Sequence, residues 1–308
     1  MNAIAVVRAP NPSVMTLDGT NTYVIDCGAG AIVVDPRPAL PAHVDAILRN
    51  LQSRNLRLDA IALTHGHPDH APAAAMLAAR TGAHVFAHPN CTVQHDIDFV
   101  LESDWSVGTA VLRVIDAPGH TFDHVVLYHI RERALFTGDV ILGEGTVVIA
   151  PPSGAMRPYQ RTLARLRDEF AQAACIYGGH GPPVSDARAK IGEYIAHRRV
   201  RERELLEALQ ARPQTIPQLV LRIYGTGRAA LWPAMARQLL AYLIALQEEG
   251  RVFAEPLSRA MNAEETNILN PPWESIVGIE HAATIEAELG AMLQLDTLYR
   301  YRLTESAS

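Results

Sequence analysis

The stretch Thr64-His65-Gly66-His67-Pro68-Asp69-His70 brings three imidazoles and one carboxylate together within seven residues. It follows the apolar run 60–63, which predicts a short buried strand. The polar groups are therefore expected on a loop just past the carboxyl end of a strand, where open α/β sheets place their sites. Imidazole nitrogen and carboxylate oxygen are good ligands for first-row metals. The stretch predicts a metal centre, because a loop so rich in titratable groups is costly to order without a cation to share.

Three later loops each add one candidate ligand directly after a predicted strand. These ligands are His120, Asp139 and His180. Each has a glycine beside it, which permits a sharp turn and a close approach of the backbone. A single Gly-His or Gly-Asp is more often an ordinary turn. In this order, behind the histidine-rich loop, the three indicate one shared site.

The bulk properties describe a globular chain of one large or two modest domains. It has 308 residues, of which 48% are apolar and 19% are charged, with a formal net charge of −6. This balance does not favour a nucleic-acid binder. Three cysteines without metal-type spacing favour a reducing compartment. With no signal segment and no apolar run near membrane-spanning length recognised, we expect a cytoplasmic protein without a membrane partner.

The rest of the pattern alternates short apolar strands with helices. Three closely spaced strands joined by Gly- and Asp-bearing turns predict an opening antiparallel meander. Later strands are predicted at 85–88, 111–116, 125–130, 134–136 and 174–177, and helices at 41–50, 71–80 and 158–170. The segment 89–109 carries little signal and is interpreted as a loop. Three further helices are predicted at 186–210, 215–224 and 229–249, before a short strand at 251–253.

With these motifs in place, the sequence resembles the metallo-β-lactamase superfamily, specifically its glyoxalase-II-like members. Segments 15–23, 143–146 and 151–159 also resemble the lactamase-beta-2-like subgroup, and 196–252 resembles the C-terminal winged-helix domain of that subgroup. The resemblance implies an α/β fold of four layers (αββα), with two packed mixed sheets flanked by helices. We expect this catalytic domain at 1–185 and a small helical, winged-helix-like domain at 186–308.

The resemblance also implies the cofactor, two Zn²⁺ per chain, with Mn²⁺ or Fe as alternatives. One ion would be held by His65, His67 and His120, and the other by Asp69, His70 and His180, with Asp139 bridging the two. Two such ions can share a hydroxide as the nucleophile. Asp69 is the predicted catalytic residue, since its second oxygen can reach the bridging water as proton acceptor or donor.

Several other residues have open roles. Asp35 is either a simple strand-ending turn residue or a partner that orients a histidine through its free ring nitrogen. His124 lies four residues after His120 and is a candidate for lining the site, and His88 is equally undecided. Six more histidines lack companions at ligand spacing and are interpreted as surface or satisfied groups: His43, His84, His95, His129, His197 and His281.

Two departures from the subgroup bear on the substrate. Ala155 stands where the subgroup usually has an acidic residue. An insertion is predicted at 254–293, with a helix at 280–293, before a strand in 295–303 closes the wing. The insertion is interpreted as a surface excursion, with a lid over the pocket or a dimer contact as alternatives.

The expected function is a dinuclear zinc-dependent hydrolase that attacks an activated carbonyl in a thioester, lactone or other ester. Its partner would be a small-molecule or carrier-bound acyl substrate. The alternative is a metal-dependent endoribonuclease cleaving single-stranded RNA, suggested by the basic run at 197–203, although nearby glutamates dilute that run. A non-catalytic metal-binding protein fits less well, because the ligand set is complete. The oligomeric state stays open.

Overall fold

The chain folds into two compact units. The computed structural model describes residues 3–13, 16–67, 71–227, 229–271 and 297–304. The first unit comprises Met1–Val147 with Thr162–Gly192, and the second comprises Val148–Arg161 with Glu193–Ser308. These units follow from contacts within the chain, and the predicted domain boundary after residue 185 stays a prediction.

The first unit contains a mixed sheet whose strands follow chain order. They are β1 (Ile4–Arg8), β2 (Asn21–Asp26), β3 (Gly30–Val34), β4 (Arg57–Ala62), β5 (His84–Ala87) and β6 (Ile97–Asp98). The first three form the predicted antiparallel meander. From β3 onward the pairs are parallel. Helices α1 (Pro41–Ser53) and α2 (Ala71–Thr81) connect β3 to β4 and β4 to β5, because parallel neighbours need crossover connections.

A second mixed sheet has the strand order β11-β10-β9-β8-β7. Its strands are β7 (Asp104–Val107), β8 (Ala110–Asp116), β9 (Val125–His129), β10 (Ala134–Gly138) and β11 (Cys175–Gly178). The prediction of a loop at 89–109 was wrong, because β6 and β7 lie within it. β6 has only two residues, and β7 is an edge strand that alternates exposed and half-buried positions, so neither gives a strong apolar signal.

Apolar cores lie on both faces of the first sheet. Ile25 of β2 belongs to a core shared with Leu112 and Phe136 of the second sheet. Its neighbour Val24 belongs to a core shared with the helices, including Leu77 of α2. Helix α3 (Met156–Phe170) brings the Phe170 ring to 5.1 Å from that of Tyr128 on β9. Helices therefore flank two packed sheets, which is the predicted four-layer fold.

The second unit combines helices with a three-stranded sheet of order β12-β14-β13. Its elements include α4 (Ala187–Ala211, which begins in the first unit), β12 (Gln214–Thr215), α5 (Ile216–Tyr224), a 3₁₀ turn (Ala229–Leu231), α6 (Trp232–Glu248), β13 (Val252–Pro256), α7 (Ala263–Leu269) and β14 (Tyr299–Leu303). The predicted closing strand of the wing is confirmed, since β14 pairs antiparallel with β13.

The predicted start of the insertion at 254 was wrong. Ala254, Glu255 and Pro256 continue β13 and pair with Tyr301, Arg300 and Tyr299. Helix α7 follows this strand, and the predicted helix at 280–293 lies outside the described residues.

One helical stretch in the described part of the chain, Ala229–Glu248, is long and apolar enough to cross a membrane by length and composition. This stretch differs from the expectation that no apolar run approaches membrane-spanning length. Within the structure 67% of its most apolar window is buried. A core helix of a folded unit has this character, so the stretch gives only weak evidence for a membrane span.

Candidate metal centre

Four predicted ligands from three loops meet at one edge of the first unit. Ligand atoms of His65, His67, His120 and Asp139 all lie within 4.8 Å of one another. The two histidines of the first loop follow β4, His120 follows β8, and Asp139 follows β10. The expectation that strand ends gather the ligands is therefore met for these four residues.

The spacing of the donor atoms suits a tetrahedral ion. Nδ1 of His67 lies 3.1 Å from Nε2 of His65 and 3.3 Å from Nε2 of His120. Oδ2 of Asp139 lies 4.0 Å and 3.8 Å from the same two Nε2 atoms. Ligands at zinc bond lengths on a tetrahedron are roughly 3.4 Å apart. The four donors therefore fit a metal ion with little adjustment.

His180 approaches the same carboxylate although it is not part of this group of four. Its Nε2 lies 3.7 Å from Oδ2 of Asp139. Its Nδ1 lies 3.4 Å from the carbonyl oxygen of Gly19, which can only accept a hydrogen bond. Nδ1 of His180 therefore carries the proton and donates it to that carbonyl, which leaves the Nε2 lone pair available to a metal.

Asp69 and His70, two predicted ligands of the second metal, lie outside the described residues. The structure therefore does not test the predicted catalytic role of Asp69. Their assignments stay predictions.

Asp139 is held from the side that faces away from the imidazoles. Nη1 of Arg37 lies 3.9 Å from Oδ1 of Asp139. A β-carbon on Gly179 would collide with the same oxygen, so the backbone passes against it. The close backbone approach expected from glycines beside the ligands therefore occurs here, and it leaves Oδ2 turned toward the histidines.

Asp35 reaches His65 through Thr64 rather than directly. The backbone N–H and the hydroxyl of Thr64 both donate to the Asp35 carboxylate, at 2.8 Å and 2.7 Å. Nη2 of Arg37 lies 2.9 Å from the same carboxylate. Burial raises the pKa of the Asp35 carboxyl, whereas Arg37 and the two hydrogen bonds from Thr64 act in the opposite direction. Asp35 therefore acts on His65 indirectly. Its carboxylate binds Thr64, and the Thr64 hydroxyl contacts the His65 ring.

Sequence reasoning missed Arg37, whose side chain is fully buried beside the centre. It follows the apolar strand β3 in the triplet Asp35-Pro36-Arg37, which has the appearance of an ordinary strand-ending turn. The available signal was the opposite charges of Asp35 and Arg37, two residues apart and directly after an apolar strand. Charged side chains are almost never fully buried unless they are paired, and such a pair permits burial.

His124, whose role the sequence left open, supports the centre without being placed as a ligand. Its Nε2 accepts a hydrogen bond of 3.2 Å from the backbone N–H of Asp139. Its ring stacks on that of His65 at a centroid distance of 4.6 Å. Burial, with a smaller contribution from His120, keeps the pKa of His124 well below its usual value. A neutral imidazole thus positions Asp139 by a hydrogen bond and His65 by stacking.

The fold and the cluster agree with a comparison against protein families. The family model described as "Metallo-beta-lactamase superfamily" matches residues 15–180, more than half of the chain. The chain belongs to this superfamily. It is a metal-dependent hydrolase of the metallo-β-lactamase superfamily, as predicted. A second model, "Beta-lactamase associated winged helix domain", matches residues 215–258 and confirms the predicted C-terminal winged helix.

Similar proteins support the subgroup as well as the fold. A "Beta-lactamase-like protein 2 homolog" from Caenorhabditis elegans is 32% identical over 261 residues, covering 82% of this chain and 86% of that protein. An "Atrochrysone carboxyl ACP thioesterase" from Aspergillus chevalieri is 30% identical over 251 residues, covering 76% and 79%. A metallo-β-lactamase family protein of Thermus thermophilus has a similar fold, with a TM-score of 0.68, 24% identity and coverage of 82% and 96%.

Proposed function

We propose that this superfamily member is a dinuclear zinc hydrolase of activated carbonyl compounds, namely thioesters, lactones or other esters. The observation that carries the proposal is the position of Asp139. Its Oδ2 lies 4.0 Å and 3.8 Å from Nε2 of His65 and His120, and 3.7 Å from Nε2 of His180. A carboxylate oxygen that approaches imidazoles from different loops suits a bridging ligand.

For the two ions we propose the ligand sets that the family resemblance implies. His65, His67 and His120 would hold one ion, and His180 with Asp69 and His70 would hold the other. Two zinc ions bound there would activate water as the nucleophile at neutral pH and polarise the carbonyl oxygen.

The chain's own groups would keep these ligands in place. Arg37 and the Gly179 backbone hold one oxygen of Asp139, and His124 holds the backbone N–H of the same residue. The Gly19 carbonyl orients His180. Asp69 is proposed to accept or return a proton during turnover.

A thioester is the substrate class we favour. The relative from Aspergillus chevalieri is named an "Atrochrysone carboxyl ACP thioesterase", and the similarity covers 76% of this chain. A small-molecule or carrier-bound acyl thioester is therefore our proposed substrate.

The endoribonuclease alternative draws little support from the basic run at 197–203. Within that run Arg198 is buried, Nη1 of Arg201 lies 2.7 Å from Glu204, and Nε of Arg203 lies 3.7 Å from Glu207. Arginines engaged in this way offer less positive charge to phosphates. The net charge of −6 points in the same direction.

The proposal is tested with purified, zinc-loaded protein. It is incubated with a panel of acyl thioesters, lactones and esters and, separately, with labelled single-stranded RNA. We expect thioester turnover in the wild type and in the surface variant Arg203→Met, and loss of turnover in Asp139→Ala. RNA cleavage without ester turnover would contradict the carbonyl substrate, and a stoichiometry below about two metals per chain would contradict the dinuclear site.

A further inference from the structure

Two polar groups that favour different tautomers of His65 lie close to its Nδ1 atom. The Thr64 hydroxyl oxygen lies 3.1 Å from Nδ1, and Nη2 of Arg37 lies 3.3 Å from it. A guanidinium can only donate hydrogen bonds, whereas a hydroxyl can donate or accept. If Arg37 donated to Nδ1, the neutral ring would carry its proton on Nε2. If Thr64 accepted from Nδ1, the proton would be on Nδ1.

A hydrogen bond to Asp35 determines whether the Thr64 hydroxyl donates to His65 or accepts from it. The hydroxyl hydrogen of Thr64 is directed to Oδ2 of Asp35 at 2.7 Å. One lone pair of Oγ1 can therefore accept a hydrogen bond from Nδ1 of His65, while the other accepts from Nη2 of Arg37.

The hydrogens of Arg37 have other acceptors within reach. Its Nη2 lies 2.9 Å from Oδ2 of Asp35 and 3.2 Å from Oγ1 of Thr64. These two oxygens compete with Nδ1 of His65, at 3.3 Å, for the two hydrogens of Nη2. When both oxygens accept, Nδ1 need not act as an acceptor. A carboxylate is also the stronger partner for a guanidinium, because the hydrogen bond is charge-assisted at both ends.

We propose that Thr64 and Arg37 are positioning residues that together set the tautomer of His65. With Asp35 fixing the Thr64 hydroxyl and occupying Arg37, the proton of the neutral imidazole stays on Nδ1. The lone pair stays on Nε2, the atom that lies 3.1 Å from Nδ1 of His67 and 4.0 Å from Oδ2 of Asp139. No proton enters or leaves, since the same proton occupies one ring nitrogen or the other. The inference rests on the proposed role of His65 as a metal ligand.

The tautomer of His180, by contrast, is fixed by a backbone carbonyl. Its Nδ1 faces the Gly19 carbonyl, which accepts only, so one tautomer is imposed whatever its neighbours do. The tautomer of His65 is conditional, because Thr64 can be replaced while the competing donor Arg37 remains. Removal of the Thr64 hydroxyl should therefore change the tautomer of His65 and leave that of His180 unchanged.

The test compares Thr64→Val, which keeps the shape of the side chain, with Thr64→Ser, which keeps the hydroxyl. The tautomer of His65 is read by ¹⁵N NMR on metal-free, histidine-labelled protein at pH 8, where an ordinary imidazole with a pKa of about 6.5 is neutral. Its signals are assigned by their loss in His65→Gln. We expect the proton on Nδ1 in the wild type and in Thr64→Ser, and on Nε2 in Thr64→Val.

Zinc affinity, measured by chelator competition, gives a second readout. We expect it to fall about 10- to 100-fold in Thr64→Val, the usual range for loss of a group that orients a metal ligand. Thr64→Ser should stay close to the wild type. A His65 proton on Nε2 in the wild type, or on Nδ1 in Thr64→Val, overturns the inference. The NMR result decides it whatever substrate the enzyme hydrolyses, so failure of the proposed function is detected separately.

Discussion

Gly179 lies so close to Asp139 that a β-carbon at position 179 would collide with Oδ1 of the carboxylate. Gly179 is not among the glycines with positive φ. Its requirement is therefore one of space rather than of backbone conformation. The contact leaves Oδ2 as the oxygen turned toward the imidazoles of His65, His120 and His180.

We therefore expect Gly179→Ala to displace Asp139 and to weaken zinc binding at least about tenfold, comparable to loss of a group that orients a ligand. Overpacking of this kind costs about 1–3 kcal/mol of stability, so the variant should still fold. Chelator competition and thermal unfolding measure the two effects. Wild-type zinc affinity in the variant would show that the carboxylate can shift without consequence.

Gly192 provides a matched control within helix α4. A β-carbon there would meet no atom within 4 Å. Gly192→Ala should stabilise the fold by about 0.5–1 kcal/mol, because glycine in a helix interior is less favourable than alanine. Its zinc affinity should equal that of the wild type. A loss of zinc binding in this control would show that the effect at Gly179 is not specific.

Four of the predicted site residues could be named from the sequence because each is tied to a local pattern. An apolar strand, a glycine and a histidine or aspartate recur in the order of the chain. The fold then brings the ends of these strands, β4 of the first sheet and β8 and β10 of the second, close together. His65, His67, His120 and Asp139 could be named in this way, and the structure brings them together.

The roles of the groups around those four residues could not be assigned from the sequence, because they depend on contacts between distant segments. Arg37 lies 28 positions before His65, and His124 lies 15 positions before Asp139. Thr64 is adjacent to His65, but its role depends on Asp35, which lies 29 positions away. No periodicity relates these pairs. The edge strands β6 and β7 were missed for a different reason, since they bury too little apolar surface to leave a pattern.

A half-buried ion-pair network in the second unit is expected to contribute to stability. Arg157 donates to both oxygens of Glu202 and both oxygens of Glu249, and its side chain and that of Glu202 are 22% and 17% exposed. Arg157→Met should cost about 1–3 kcal/mol, because it leaves the partly buried Glu202 carboxylate with weaker compensation.

The control for this network is Arg203→Met, measured in the same urea titration. Arg203 and its partner Glu207 are 66% and 65% exposed, and Nε of Arg203 lies 3.7 Å from that carboxylate. Exposed pairs contribute about 0–1 kcal/mol, so this variant should stay near the wild type. Equal losses in the two variants would contradict a special contribution of Arg157.

The buried His43 should make stability depend on pH. Nε2 of His43 lies 2.9 Å from the Thr22 hydroxyl, whose own hydrogen is donated to the carbonyl of Asp35, so His43 donates from Nε2. Burial lowers the pKa of His43 from 6.5 to about 4. Between these values the unfolded chain binds the proton more tightly than the folded chain does. The contribution is therefore complete above about pH 6.5 and is lost as the pH falls toward 4.

At about 1.4 kcal/mol per pKa unit, the loss amounts to roughly 3 kcal/mol. His43→Gln keeps a donor for Thr22 but cannot titrate, so its free energy of unfolding should fall less than that of the wild type between pH 6.5 and pH 4. His84→Gln is the control, because the His84 side chain is 67% exposed. Parallel pH profiles for the wild type and His43→Gln would contradict a buried neutral imidazole at this position.

Metal removal should destabilise the first unit, because the unfolded chain cannot reproduce the arrangement of His65, His67, His120 and Asp139. An ion that binds only the folded state at a free concentration of about 100 times Kd adds about 2.7 kcal/mol of stability. We expect a strong chelator to lower the melting temperature of the zinc-loaded wild type and added Zn²⁺ to restore it. In His120→Gln, which lacks one of the four clustered donors, the shift caused by the chelator should be much smaller. Equal shifts in the two proteins would mean that the ion responsible binds somewhere other than this cluster.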